Sequence, residues 1–203
     1  MTDQTQLIHR IQSLAEASNR IIIAITGPPA SGKSTFVDEL ICSLEDAVIV
    51  PMDGFHLDNV ILEKRELLSR KGSPETFDAS GYHDLLWRTK NASDTVYAPM
   101  FDREADLSRA AAIEVPRCAK IILAEGNYLL LDQSPWRQLQ PLFDMTVSLS
   151  VPIAILKKRL IQRLLDHGLS PDQALLRAES NDLPNARLVV DHSMAADSVI
   201  NNY

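Results

Sequence analysis

One stretch constrains this chain more than any other: Gly27-Pro28-Pro29-Ala30-Ser31-Gly32-Lys33-Ser34-Thr35 satisfies the spacing G-x-x-x-x-G-K-[ST]. The β-branched run Ile21-Ile22-Ile23-Ala24-Ile25 precedes it, and Phe36, Val37, Leu40, Ile41 and Leu44 follow at helical intervals. A strand, a glycine-bearing turn and a helix start therefore follow one another, which is the setting this spacing requires. Glycines let the backbone wrap with its N–H groups aimed inward, and the helix N-terminus adds partial positive charge. Lys33 is then placed to reach the β- and γ-phosphates of a nucleotide, and Ser34 to coordinate Mg²⁺. The segment from Gly27 to Thr35 is expected to cradle a triphosphate.

Three further apolar runs, Ala47-Val48-Ile49-Val50, Lys120-Ile121-Ile122-Leu123-Ala124 and Met145-Thr146-Val147-Ser148-Leu149, read as strands covered on both faces. With helical patterns between them they predict an α/β fold of P-loop NTPase type, three layers with a parallel sheet between helices. Leu7, Ile8, Ile11, Leu14 and Ala15 predict an amino-terminal helix. Residues 53–95 hold no comparable strand and read as a mostly helical insertion beside a substrate site, with a helix after Asp78. Val96 to Phe101 and Ile113 to Val115 are expected to pair as a short antiparallel addition, with Pro99 favouring an edge. Residues 152–168 predict a lid-like helix with Ile153, Leu156, Leu160 and Leu164 as its core stripe, Pro152 near its start and Gly168 past its end. Ser170-Pro171-Asp172-Gln173 reads as a capping box. Neither repeats nor long linkers interrupt the pattern, so residues 1–203 are expected to form one domain.

Charge narrows the function classes. Lys and Arg number 20 against 27 Asp and Glu, a formal net charge of −7, the wrong sign for a surface that tracks nucleic acid. No run approaches the roughly 20 apolar residues of a membrane-spanning helix. The first residues, Met1-Thr2-Asp3-Gln4-Thr5-Gln6, carry neither a basic nor an apolar leader, so the expected location is the cytoplasm. Cys42 and Cys118 belong to no metal-ligand spacing and are expected to be small buried side chains.

In parallel sheets of this kind ligands bind at the carboxyl edge of the strands. Two acids are placed there, Asp53 after the run Ala47 to Met52 and Glu125 after Ile121 to Ala124. Phosphoryl transfer to an alcohol needs one carboxylate to accept the hydroxyl proton and another to help hold the metal. Asp53 is assigned as the base and Glu125 to the metal side. The exchanged assignment, or a turn-forming role in Asp53-Gly54 and Glu125-Gly126, also fits the residue types.

Four ordered motifs then carry a resemblance. Pro51-Met52-Asp53-Gly54-Phe55-His56-Leu57-Asp58-Asn59, Arg70-Lys71-Gly72-Ser73-Pro74-Glu75-Thr76-Phe77-Asp78, Tyr97-Ala98-Pro99-Met100-Phe101-Asp102-Arg103 and Glu125-Gly126-Asn127-Tyr128-Leu129-Leu130-Leu131 resemble the phosphoribulokinase and uridine kinase superfamily. Within it the match is to the branch labelled fructose transport system kinases, and the chain is also similar to bacterial pantothenate kinases. The resemblance runs from about Ile21 to the end and implies an ATP- and Mg²⁺-dependent kinase of a small-molecule hydroxyl. It implies the catalytic acid or base at Asp53 and an acceptor site bordered by Arg70 and Lys71, with His56, Tyr97, Arg103 and Glu125 as pocket residues. Arg159 and Arg163, four apart in a basic helix segment, look like the lid arginines that offset charge on the transferred phosphoryl group; a solvated helix face accounts for the same spacing. Asn181 to Ala186 resembles the family's segment beside the adenine. The chain is shorter than pantothenate kinases and carries His56 after Asp-Gly-Phe, so acceptor specificity is not transferred with the resemblance.

The competing expectations are a pantothenate- or nucleoside-type acceptor in place of a sugar, a P-loop ATPase, or a nucleotide switch. No Asn-Lys-x-Asp segment that reads guanine is present. The expected partner is a small molecule, with no nucleic acid and no membrane, and the oligomeric state is open.

Overall fold

The structure is a computed structural model that describes residues 3–203. Along the chain, α1 (Asp3–Glu16) leads into β1 (Ile21–Thr26), the phosphate loop, α2 (Lys33–Ile41) and β2 (Ala47–Pro51). The insertion follows as a 3₁₀ turn (Met52–Phe55), α3 (Asn59–Lys64), two more 3₁₀ turns and α4 (Ala79–Asn91). Then come β3 (Val96–Asp102), β4 (Leu107–Val115), β5 (Ile121–Gly126) and β6 (Met145–Ser150). The chain ends with α5 (Ile153–Asp166), α6 (Pro171–Arg177), a π-helical turn (Ala178–Asp182), α7 (Leu183–His192) and β7 (Ser198–Asn201).

Five strands form one parallel sheet in the order β2-β5-β1-β6-β7. All six residues of β1 are buried, because period-2 alternation gives each face its own apolar set. Ile21, Ile23 and Ile25 pack with Leu7 and Ile11 of α1 and with Phe36, Val37 and Leu40 of α2. Ile22 and Ala24 face the other way, toward Tyr82, Leu85 and Leu86 of α4 and toward Tyr128 and Trp136. This is the three-layer α/β fold, and it sends the ends of β1, β2 and β5 to a common carboxyl edge.

The insertion is mostly helical as expected, and Asp78 caps α4 by accepting from the Gly81 N–H. The capping box of α6 is present in both directions between Ser170 and Gln173. Leu156 and Leu160 of α5 are fully buried, and the helix stops at Gly168 with φ +86°.

Val96 to Ala98 pair antiparallel with Ile113 to Val115 as expected; the pairing is longer than expected and forms a two-stranded ribbon separate from the main sheet, with an irregularity between Ala98 and Met100 where Pro99 lacks an N–H. Two features differ from the sequence reading. β7 was not expected at all: its four residues are too few to show a period, and its pairing with β6 comes from distant chain. Cys42 and Cys118 are exposed rather than buried. Cys42 ends α2, its Sγ donating to the Asp38 carbonyl at 3.2 Å. Among the described residues no helix is long and apolar enough to cross a membrane.

Candidate active site

The phosphate loop leaves β1 through Gly27, where a Cβ would stand 2.8 Å from the Leu149 carbonyl oxygen, so the close pass along β6 admits only glycine. Pro29, Ala30, Gly32, Lys33, Ser34 and Thr35 line an open cleft of about 360 Å³, whereas Gly27, Pro28 and Ser31 lie outside its lining. The start of α2 presents N–H groups that no helix can satisfy internally. Lys33 is buried, and its Nζ donates to the Pro28 carbonyl at 3.0 Å and to Asn127 Oδ1 at 2.6 Å. Burial pushes the Lys33 ammonium below its usual range, and the carboxylates of Glu125 and Asp53 pull it back.

Asp53 sits in the 3₁₀ turn that ends β2. The following Gly54 lies directly under the Pro99 carbonyl of the ribbon, where a side chain would collide. The Asp-Gly pair therefore lets the ribbon cross over the turn, which brings Arg103 to the carboxylate: Arg103 Nη2 donates to Asp53 Oδ2 at 3.0 Å. The Asp53 carbonyl engages His56 Nδ1 at 2.8 Å. A carbonyl only accepts, so Nδ1 carries the proton and Nε2 the lone pair. The His56 ring is held between Phe77 and Phe101, with centroids 4.0 and 4.4 Å away. Burial pushes its pKa below the usual range, against the opposing pull of Asp53.

Glu125 is the next-to-last residue of β5, opposite Pro51 and beside Ile25 of β1, only 9% exposed. Burial raises its pKa from 4.5 to about 7, against the pull of Lys33 and with a further push from Asp53. Asp53, His56, Lys71, Arg103, Glu125 and Arg163 all line the same cleft as the phosphate loop. Lys71 is tethered there: its Nζ donates to Asn59 Oδ1 at 2.8 Å and to Asp106 Oδ1 at 2.7 Å.

Outside the phosphate loop, three of the expected site residues are not brought to the cleft. Tyr97 alternates with the buried Val96 and Ala98, so the pleat of β3 turns it outward, into a different groove. Arg70 donates to the Ser180 carbonyl at 3.3 Å and lies 3.8 Å from Glu75, outside the cleft wall. Arg159 is spent behind the loop, its Nη1 on the Ala30 carbonyl at 3.5 Å and its Nη2 on the Asn202 carbonyl at 3.1 Å. Arg163 lies about one turn further along α5 and reaches the open mouth, so the two arginines divide between a brace and a cleft wall.

The cleft also contains residues to which the sequence assigns no individual role. Asn127 follows Glu125-Gly126 and accepts from Lys33. Arg177 donates to the Ser69 carbonyl at 2.7 Å and the Lys71 carbonyl at 3.0 Å, closing one side against the insertion. Asp182, whose pKa burial raises against the opposing Arg163 and Arg177, and Asn185 lie in the segment expected beside the adenine. The π-helical turn presents Asp182 there, a backbone form frequent at functional sites. Asn127 was legible as a polar residue beside a strand-end acid; Arg177 carries no local signal.

No protein-family model matches the chain. A protein of Schizosaccharomyces pombe provisionally named a uridine kinase is 30% identical over 208 residues, spanning 96% of this chain and 88% of its own length. The ATP-dependent kinase YFH7 of Lachancea thermotolerans is 30% identical over 226 residues, spanning 90% of this chain and 65% of its own. The crystal structure of a protein from Silicibacter sp. TM1040, provisionally described as a fructose transport system kinase, matches with a TM-score of 0.89 and 43% identity, covering 98% of this chain and 99% of that one. Likeness along nearly the whole length, in sequence and in fold, leaves one conclusion: the chain belongs to the phosphoribulokinase and uridine kinase superfamily of small-molecule P-loop kinases.

Proposed function

We propose that this kinase transfers the γ-phosphoryl group of MgATP to a hydroxyl of a small polar molecule, a sugar or a nucleoside, with Asp53 as the base. The observation that carries the reading is the shared cleft: the phosphate loop and Asp53 line one cavity, with His56, Arg103 and Arg163 on its walls. ATP fits the cradle, since Ser31 Oγ is buried without a partner and the start of α2 faces the cavity. A magnesium ion fits Ser34 and Glu125, which line a second, adjoining recess together with Asp53. Bound there, it would neutralise charge on the β- and γ-phosphates.

The chain's own groups supply the rest. Lys33 reaches the phosphates from the loop, exchanging its contact with the Pro28 carbonyl for phosphate oxygens. Asp53 Oδ1 accepts the proton of the acceptor hydroxyl, while Arg103 fixes the orientation of the carboxylate through Oδ2. His56 Nε2 accepts a hydrogen bond from a second hydroxyl of the acceptor. Arg163 offsets the negative charge that spreads over the moving phosphoryl group, and Arg177 holds the insertion against the cleft so that water is excluded.

The cleft favours a polyhydroxylated acceptor because its walls offer hydrogen-bonding and charged groups rather than an apolar slot. The names carried by the relatives from S. pombe and Silicibacter, one a uridine kinase and the other a fructose system kinase, support nucleosides and sugars as the first classes to try. The test is ADP formation with MgATP across sugars, glycerate, nucleosides and pantothenate, with free phosphate followed in parallel and Lys33→Ala as the blank. ADP that depends on an acceptor, without free phosphate, is the expected result. ADP matched by free phosphate whatever the acceptor would make the protein an ATPase or a switch.

A further inference from the structure

A second groove, about 580 Å³ and predominantly apolar, runs between α4 and the β3–β4 ribbon. None of its lining residues lines the phosphate cleft. Its rim carries two large aromatic side chains turned to solvent, Trp87 at 56% exposure and Tyr97 at 54%. Pro99, Ala110 and Ala111 make its ribbon wall, and the two alanines leave room for another body to approach closely. Apolar side chains gathered along a groove offer a surface that a second body can cover.

The charges around Trp87 say what the contact is. Asp84 and Arg88 are four residues apart on α4, both exposed, one on either side of Trp87 along the helix. Asp84 is engaged only by its neighbour His83, at 3.1 Å, and Arg88 has no hydrogen-bond partner among the described residues. A two-fold axis crossing α4 near residue 86 would set the helix antiparallel to a second copy, with each Asp84 opposite the other copy's Arg88 and each Trp87 at the other copy's groove. Self-complementarity of this kind is what an isologous interface requires. One positive and one negative charge leave the groove neutral. A chain of net charge −7 gives an anionic membrane or nucleic acid no attraction there.

We propose that the groove between α4 and the β3–β4 ribbon is the interface of a symmetric homodimer, with Trp87 as its anchor and the Asp84–Arg88 pairs setting its register. Aromatic anchors in pockets, ringed by charges that fix orientation, are how such interfaces concentrate their energy.

The test is sedimentation equilibrium of the full chain at tens of micromolar. The expected mass is twice the 22.6 kDa of one chain. Trp87→Ser gives a monomer with unchanged far-UV circular dichroism. Asp84→Arg and Arg88→Asp each weaken the dimer at least about tenfold, since each change strikes both symmetry-related contacts. The double variant, with the charges exchanged, restores it. A wild-type chain that stays monomeric overturns the proposal, and so does a dimer indifferent to Trp87→Ser. Single charge variants whose defects add instead of cancelling in the double variant overturn the antiparallel register.

Discussion

Arg103 Nη2 donates to Asp53 Oδ2 at 3.0 Å, joining the tip of the ribbon to the turn that ends the edge strand β2. The Arg103 side chain is 67% exposed, so the pair contributes less than about 1 kcal/mol to folding. Its effect is on aim. Arg103→Ala is expected to leave the melting temperature nearly unchanged and to lower acceptor turnover. Asp53→Asn is expected to retain ATP binding and lose about 10²–10⁴ in rate. Thermal melts, nucleotide titration and coupled ADP release on the two variants check both statements, and near wild-type turnover in Asp53→Asn would remove the base assignment.

Lys33 is held by Asn127 Oδ1 at 2.6 Å, which presets the ammonium toward the cleft. Lys33→Ala is expected to abolish turnover, whereas Asn127→Ala keeps the charge and loses its aim. The second variant should raise KM for ATP by about tenfold, the equivalent of one charge-assisted hydrogen bond, with the acceptor KM little changed. Initial rates over a matrix of the two substrates separate these effects.

Burial holds the Glu125 proton up to about pH 7, while the unfolded chain releases it near its ordinary value of 4.5. Across that window the native state binds more protons than the unfolded state, so stability falls as pH rises. The contribution is fully present below about 4.5 and lost on passing through about 7. In nucleotide- and metal-free protein, unfolding free energies from urea titrations between about pH 5 and pH 8 should decline more steeply for wild type than for Glu125→Gln, by up to about 1.4 kcal/mol per pH unit. Parallel profiles would show that Glu125 is ionised throughout.

Arg159 and Arg163 should fail differently. Arg159 and the Asn202 side chain hold the Ala30 and Ser31 carbonyls from behind the loop, so Arg159→Ala should loosen the cradle and raise KM for ATP. Arg163→Ala should lower kcat and leave the ATP KM close to wild type, because its charge matters as the phosphoryl group moves. Identical kinetic defects in the two variants would contradict the division between brace and cleft wall.

Arg20 is a structural charge. It is 9% exposed and donates to four carbonyls: Nε to Ala119 at 2.7 Å, Nη1 to Thr89 at 2.6 Å, and Nη2 to Pro116 at 3.1 Å and Arg117 at 2.8 Å. Arg20→Met strands those acceptors and should cost about 3 kcal/mol, read as a shift in denaturation midpoint without a change in KM.

The phosphate loop, the parallel sheet and the placement of Asp53 and Glu125 were determined by local sequence. Each depends on neighbours in the chain: a β-branched strand, glycines where the backbone must turn, a lysine at the start of a helix, and acids at or just past the ends of strands. Periodicity also fixed the stripe of α5, and side-chain chemistry fixed the capping box at Ser170. Other features belong to no local pattern. The pleat of β3 decides that Tyr97 faces away from the cleft, but only the crossing of Pro99 over Gly54 decides which face that is. Arg159 and Arg163 share a helix face and part company because the back of the loop meets one and its mouth the other. Arg177 reaches the insertion across more than a hundred residues of chain, β7 exists only because β6 offers it hydrogen bonds, and the exposed cysteines follow from where two turns fall on the surface. Sequence by itself settles whatever chain neighbours enforce; the direction and company of a side chain facing distant segments are set by the packing that brings those segments together.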